Sequence, residues 1–498
     1  MHNSAARRTR NYTLGLTLNL LYVAHATPGQ AAELISARSA DSFVDSIGFN
    51  THFTYTNTPY VQDYSEVVRP RLQELGIRHI RDGVVPERMD YYERLKDLGS
   101  IGIRSTLISG TDIDPQQTVA IAKQLGSAQA AVEGPNEYDN NRDNRDPAYW
   151  VPTVRNYTQQ LHNAFKSDSA TANIPILGPS FVGGEASELV GDLSPWVDYG
   201  NFHPYNYPDH PGSGGHLNNE ITRRSQPFKG KPMIATEAGY HTGGPDSDRP
   251  ISETAQGKYL PRLFLEHFNR GIERTFAYEL LDQWSKPNDR EANFGILRND
   301  GSPKPAFNAI KNLIQLLSDP GDEFALQSLD YVLGGDTTDI SQTLLQKRNG
   351  NFYLILWQEV ASYTPFSREP QVGTDLLVQD KLVTLTLNSL IGQAIAYEPF
   401  SSSNPITAYK NPQEINLSVG DHPLVLELIP GWIKDIVSKP VQSPVPTPDV
   451  PTDPQGATEI PAPALLPGLI GLSWRIMRKR GSSDEILAEN SVSNVAFG

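Results

Sequence analysis

Between residue 44 and about residue 318 the chain alternates between two hydrophobic periods. Short apolar runs rich in β-branched and aromatic residues fall at 46–53, 77–83, 103–109, 128–133, 174–181, 199–205, 232–236 and 274–280. Eight runs of this length read as strands. Between them apolar residues recur every three or four positions, as in Val68, Leu72 and Leu75 before Gly76, in Trp150, Val154, Tyr157, Leu161 and Phe165, and in Leu260, Leu263, Phe264 and His267. That spacing puts them on one face of an amphipathic helix. A last helical pattern covers 306–317. Strand and helix alternating eight times over residues 40–320 is the pattern of a (β/α)8 TIM barrel.

After Pro320 the helical period stops. Runs at 352–357, 382–387, 393–397, 414–419 and 424–428, separated by Gly, Pro, Ser and Asn, predict a small all-β sandwich over 323–432. The fold class is therefore α/β: a barrel followed by an antiparallel sandwich.

The ends have different character. Arg7, Arg8 and Arg10 precede an apolar stretch that closes on Ala24 and Ala26, which predicts a secretory signal peptide within residues 1–31. Eight prolines within 436–463 predict an extended, unpacked linker. It leads into an apolar run from Ala464 to Trp474 and the basic cluster Arg475, Arg478, Lys479 and Arg480, with residues 481–498 expected to stay unfolded. The apolar run is shorter than the roughly 20 residues a spanning helix needs, so 464–480 allows at most transient membrane association. With Pro461-Ala462-Pro463-Ala464 before it, this tail resembles the PEP-CTERM class of bacterial sorting signals. The resemblance implies a Gram-negative-type bacterium, export and sorting machinery as partners, and delivery to the cell surface or an extracellular matrix. The tail departs from that class in continuing past the basic cluster.

Composition removes several alternatives. The 498 residues carry 42 Lys and Arg against 57 Asp and Glu, a formal net charge of −15, which disfavours nucleic acid as a partner. With no cysteine, disulfides, thiolate metal sites and thiol nucleophiles are excluded. His203, His210 and His216 match no helical ligand spacing, and the polar run 139–144 lacks the glycine and terminal glutamate of a calcium loop. No metal and no cofactor are expected.

Barrel chemistry sits at the carboxyl ends of the strands. The fourth run ends in Glu133-Gly134-Pro135-Asn136-Glu137 and the seventh in Thr236-Glu237-Ala238-Gly239, which brings Glu137 and Glu237 to the same mouth. Cleaving a glycosidic bond needs such a pair, one carboxyl to protonate the leaving oxygen and one to attack or stabilise the anomeric centre. Net retention requires the two to lie about 5–5.5 Å apart. Glu133 reads as a supporting carboxylate, and His52 and Asp82, at strand ends, as candidate substrate contacts.

With these residues in place the sequence resembles glycoside hydrolase clan A over residues 44–318, nearest to its families 39 and 5. The resemblance implies Glu137 as acid/base and Glu237 as nucleophile, with Arg81 hydrogen-bonding the nucleophile. It further implies that His203 and Tyr205 contact substrate and orient the nucleophile, that Trp284 is the aromatic floor, and that Asn136 holds the sugar 2-hydroxyl. The expected activity is hydrolysis of a polysaccharide or oligosaccharide by double displacement. The alternative is a non-catalytic surface polysaccharide-binding or matrix protein on the same barrel.

Overall fold

In the computed structural model, residues 34–140, 145–364 and 373–431 are described. The expected signal peptide, the Pro-rich linker, the apolar and basic segment and the tail lie outside the described residues, as does part of the polar run, 141–144.

All eight expected barrel strands are present: β1 (Ile47–Asn50), β2 (His79–Gly83), β3 (Arg104–Ile108), β4 (Gln129–Glu133), β5 (Ile176–Leu177), β6 (Gly200–Phe202), β7 (Met233–Ala238) and β8 (Arg274–Ala277). They pair in parallel in chain order, β8 returns to β1, and a bridge between Leu177 and Tyr199 joins β5 to the start of β6. The fifth run is much shorter than expected because Pro175 and Pro179 bracket it, and proline supplies no N–H to a ladder. Ala131, Leu177, Ile234 and Phe276 fill the barrel's interior. Gly48 of β1 makes room for them, since a Cβ there would lie 2.6 Å from the Phe276 ring.

Helix α1 (Ala40–Asp45) precedes β1. The ring of helices comprises α2 (Arg69–Leu75), α3 (Met89–Ser100), α4 (Pro115–Leu125), α5 (Pro147–Ser167), α6 (His216–Arg224), α7 (Glu253–Asn269) and α8 (Pro305–Leu317), with a single turn, Ala186–Leu189, after β5. Their ends follow from sequence. Asp146 caps α5 by accepting from Ala148 N with Pro147 at the first helical position, and Ser252 caps α7 by accepting from Ala255 N. Gly76 stops α2 at φ 78°, a left-handed conformation that costs glycine little. The apolar stripe Trp150, Val154, Tyr157, Leu161 and Phe165 is buried as its period requires.

The sandwich strands are β9 (Ser328–Gly335), β10 (Ile340–Gln346), β11 (Phe352–Gln358), β12 (Lys381–Leu387), β13 (Ile391–Tyr397), β14 (Pro405–Lys410), β15 (Glu414–Val419) and β16 (Leu424–Pro430). One sheet runs Leu34–Ser36, β9, β12, β15; the other runs β14, β13, β16, β11, β10, Arg38–Ser39. Residues from the very start of the described chain thus complete a domain that follows the barrel in sequence. Strands β9, β10 and β14 were not anticipated. In β14 five of six residues are exposed, so no inward-outward alternation marks it.

Leu354, Leu356, Leu426 and Leu428 face Val383, Leu385 and Leu417 between the sheets. On the other side of the six-stranded sheet, Tyr353, Ile355, Trp357 and Val425 join the same apolar cluster as Ile310 and Ile314 of α8. The middle of that sheet is buried on both faces, and every residue of β11 is buried. Barrel and sandwich belong to one compact unit ending at Gly431. Among the described residues no helix is long and apolar enough to cross a membrane.

Candidate active site

Arg81, in the middle of β2, organises the barrel mouth. Its side chain is 2% exposed and all five of its N–H donors are used. Nε donates to Glu133 Oε2 at 2.6 Å and Nη2 to Glu133 Oε1 at 2.8 Å. Nη1 donates to Glu237 Oε1 and to Asn50 Oδ1, both at 2.8 Å, and Nη2 also donates to Asn136 Oδ1 at 2.6 Å. Strands β1, β2, β4 and β7 are therefore joined at one guanidinium. A planar five-donor fork suits this task in a way an ammonium cannot.

Glu237 has both oxygens engaged, Oε1 by Arg81 and Oε2 by the Tyr205 hydroxyl at 2.9 Å. Burial pushes its carboxyl up, but the charges of His203 and Arg81 and the two hydrogen bonds outweigh burial, so it is held below the usual glutamate value. It is ionised at neutral pH. The Tyr205 hydroxyl is pushed well above its ordinary value, first by burial and then by the adjacent Glu237 charge, and stays a proton donor.

His203 spans the two carboxylates. Its Nδ1 lies 2.7 Å from Glu137 Oε1 and 3.6 Å from Glu237 Oε2, and its Nε2 lies 3.0 Å from Thr236 Oγ1. The surrounding network assigns the protons. Asn201 donates through Nδ2 to Glu133 Oε1 and to the Gly178 carbonyl, so its Oδ1 accepts from the Thr236 hydroxyl at 2.6 Å. Thr236 must then accept from His203, which puts a proton on Nε2. One further proton lies between Nδ1 and Glu137. Burial depresses His203, yet Glu237 and Glu137 outweigh it and its basicity is raised.

Glu137 follows β4 on a turn and has φ 45°, an unusual left-handed conformation for a non-glycine residue of the kind that clusters at functional sites. Its N–H donates to Ser180 Oγ at 3.1 Å, and Ser180 Oγ in turn donates to Asn136 Oδ1 at 3.1 Å. Asn136 is exposed at the mouth, and its amide nitrogen is available to a ligand.

Two of the expected contacts take a different form. Asp82 is buried: its Oδ2 accepts from Thr51 Oγ1 at 2.8 Å and Phe53 N at 2.9 Å, and its Oδ1 from Gly83 N at 2.8 Å. Burial raises it to about 7 against these hydrogen bonds. It shapes the turn that carries His52 and does not face a substrate. Trp284 is half-buried and stacks on Tyr55, centroids 5.9 Å apart, with Lys286 Nζ 5.2 Å from its ring; Tyr55 stacks in turn on His52 at 4.8 Å. Trp284 is the outer layer of a His52–Tyr55–Trp284 stack.

His52 is lowered to about 4 by burial and is neutral; its Nε2 has no hydrogen-bond partner and lies 3.4 Å from Glu279 Oε2. Burial pushes the Glu279 carboxyl well up. Sequence reasoning passed over Tyr278, which follows β8, is joined to Glu279 by a cis peptide and sets its ring edge against His52 and Phe294. Its position directly after a barrel strand was the available signal. Thr236, Asn201 and Asn50 were missed as well, being common polar residues whose partners are on other strands.

Among the described residues, Glu137, His203 and Glu237 are the one group with ligand atoms near enough to share a metal ion, all within 4.8 Å of one another. The set suits a cation poorly. Both Glu237 oxygens already accept hydrogen bonds, one of them from the Arg81 cation.

No protein-family model and no curated protein sequence matches the chain. Solved structures do. A family 39 glycoside hydrolase from the gut symbiont Bacteroides cellulosilyticus WH2 superposes with a TM-score of 0.55 at 16% identity, covering 78% of this chain and 81% of that one. A glucosidase from Croceicoccus marinus superposes with a TM-score of 0.54 at 10% identity, covering 81% of this chain and 98% of that one. Both likenesses extend across barrel and sandwich and concern the fold.

Proposed function

We propose that this chain is a retaining glycoside hydrolase acting on O-glycosidic bonds of a polysaccharide or oligosaccharide, with Glu137 as acid/base and Glu237 as nucleophile. The observation that carries this reading is the pair itself: oxygens of Glu137 and Glu237 lie within 4.8 Å of each other at one barrel mouth. That distance lies nearer the roughly 5–5.5 Å of retaining pairs than the about 6.5–9.5 Å of inverting ones, which supports the retaining reading.

The electrostatics support unequal roles. Glu237 is kept ionised by Arg81, His203 and Tyr205, as a nucleophile must be. Glu137 lies 2.7 Å from His203 Nδ1 and faces the mouth, where an acid/base must reach the glycosidic oxygen. In the first half-reaction Glu137 protonates the departing glycosidic oxygen while a Glu237 oxygen forms a bond to the anomeric carbon. In the second, Glu137 takes a proton from water, whose oxygen displaces Glu237 and regenerates both groups. In this reading the Asn136 amide holds the sugar 2-hydroxyl, where a hydrogen bond strengthens in the transition state. The His52–Tyr55–Trp284 stack and Tyr278 supply the aromatic wall against which a sugar ring packs. The basic and apolar segments at the two ends of the sequence support export to the cell surface or extracellular matrix.

The test is hydrolysis of a panel of polysaccharides and aryl glycosides, followed by NMR of the first-formed anomer. Retention is expected, with activity lost in Glu137→Ala and Glu237→Ala and azide restoring Glu237→Ala to give a product of inverted configuration. An inverted product from the wild type would overturn the mechanism. Absence of turnover with saccharide binding intact in both variants would make the chain a binding protein.

A further inference from the structure

Outside the barrel mouth, the most heavily engaged carboxylate among the described residues belongs to the sandwich. Glu359, directly after β11, accepts five hydrogen bonds. Arg262 of α7, fully buried, donates from Nε to Oε2 at 3.0 Å and from Nη2 to Oε1 at 2.6 Å, and Trp357 Nε1 donates to Oε2 at 2.7 Å. The other two donors come from the segment between β6 and α6: His210 Nδ1 at 2.8 Å and Gly212 N at 2.9 Å, both to Oε1. Contact is close enough to require glycine at 212, where a Cβ would lie 2.5 Å from Glu359 Cγ.

That segment begins at the catalytic centre. His203 and Tyr205 touch Glu137 and Glu237, and the Asn206 side chain donates to the His210 carbonyl at 2.9 Å, tying the near end of the loop to the end Glu359 holds. An ion pair docking sandwich on barrel needs only Arg262. The two donors from the loop do something else. We propose that Glu359 is a positioning residue: it clasps the loop from the sandwich and so keeps the Tyr205 hydroxyl on Glu237. This rests on the glycosidase reading above, and it makes the sandwich part of the active site's support.

The clasp is tested in the full chain with Glu359→Gln, with His210→Ala, which cuts the loop's side and leaves the Arg262–Glu359 pair intact, and with His210→Asn, whose amide can still donate. The tyrosine's hydrogen bond is one of the contacts that hold Glu237 low. Glu359→Gln and His210→Ala should therefore move the acid limb of kcat/KM to higher pH by roughly half a unit to one unit, toward the profile of Tyr205→Phe, and lower kcat by about 10–100-fold with little change in KM. His210→Asn should restore both. Hydrogen exchange in 203–212 should quicken in the first two variants. A fall in melting temperature with an unmoved acid limb would reduce Glu359 to a stability role and overturn the proposal, as would unchanged exchange in 203–212. Failure of the wild type to turn over any glycoside would instead overturn the glycosidase reading, and positioning with it, while the exchange measurement still decides whether the clasp exists.

Discussion

The imidazole of His203 stands between the two glutamates, 2.7 Å from Glu137 and 3.6 Å from Glu237. Of the neighbours that lower the Glu237 carboxyl, the His203 charge acts most strongly. A depressed carboxyl is ionised above its folded pKa and becomes protonated as pH falls through it, so the acid limb of activity reports that value. In His203→Phe the lowering charge is gone, and the limb should move to higher pH. With the proton partner of Glu137 removed as well, kcat should fall by about 10²-fold or more. A pH–rate profile checks both, and an unmoved acid limb would contradict the assignment.

Arg81 has five acceptors and no spare donor. Arg81→Met would leave the fully buried Glu133 and the Glu237 carboxylate without their counter-charge, and breaking a buried pair in this way costs about 3–5 kcal/mol. Arg81→Lys keeps the charge but cannot reach five acceptors, and kcat should fall by roughly 10²–10³. Chemical denaturation and initial rates separate the two effects: the methionine variant is predicted to lose chiefly stability, the lysine variant chiefly turnover.

His422, 3.0 Å from Glu398 and 3.2 Å from Asp421, titrates at about 9: burial lowers it, and hydrogen bonds and charges from the two carboxylates raise it further than burial depresses it. A raised histidine contributes stability that is fully present below its unfolded pKa, about 6.5, and is lost as pH climbs through its folded value. Wild type should exceed His422→Gln by about 2 kcal/mol at pH 6 and lose that margin between about pH 6.5 and pH 9. Thermal unfolding of both proteins across this range is the check; a margin that grows with pH would refute it.

Residues 40–320 by themselves should not give a soluble barrel. Tyr353, Ile355, Trp357 and Val425 of the sandwich belong to the same buried apolar cluster as the barrel helices, and the sandwich meets α7 at Tyr259 and Arg262, so removing that sheet exposes apolar surface of a kind that drives aggregation. The same logic applies at the other end. Leu34–Ser36 and Arg38–Ser39 are edge strands of the two sheets, so a chain beginning at residue 40 should melt at lower temperature while keeping its barrel. Size-exclusion chromatography and calorimetry of the two truncations decide both points.

Much of this molecule was written locally. A strand or a helix declares itself through the period at which one face must be apolar, so the eight barrel runs, the stripe on α5 and the position of Glu137 after β4 and of Glu237 near the end of β7 were legible residue by residue. Features that depend on a partner far away in sequence were not. Leu34 pairs with Asp330 and Arg38 with Leu345, and nothing in a three-residue or two-residue strand announces such a partner. Asp82 sits at a strand end and Trp284 in the loop after β8, as expected of site residues, yet only the folded chain shows Asp82 satisfied by three local donors and Trp284 stacked on Tyr55. Which donors surround Arg81, where the His203 protons lie and what Glu359 holds were likewise decided by closure of the barrel and docking of the sandwich. A hydrogen bond is fixed by distance and direction in space, and periodicity carries neither.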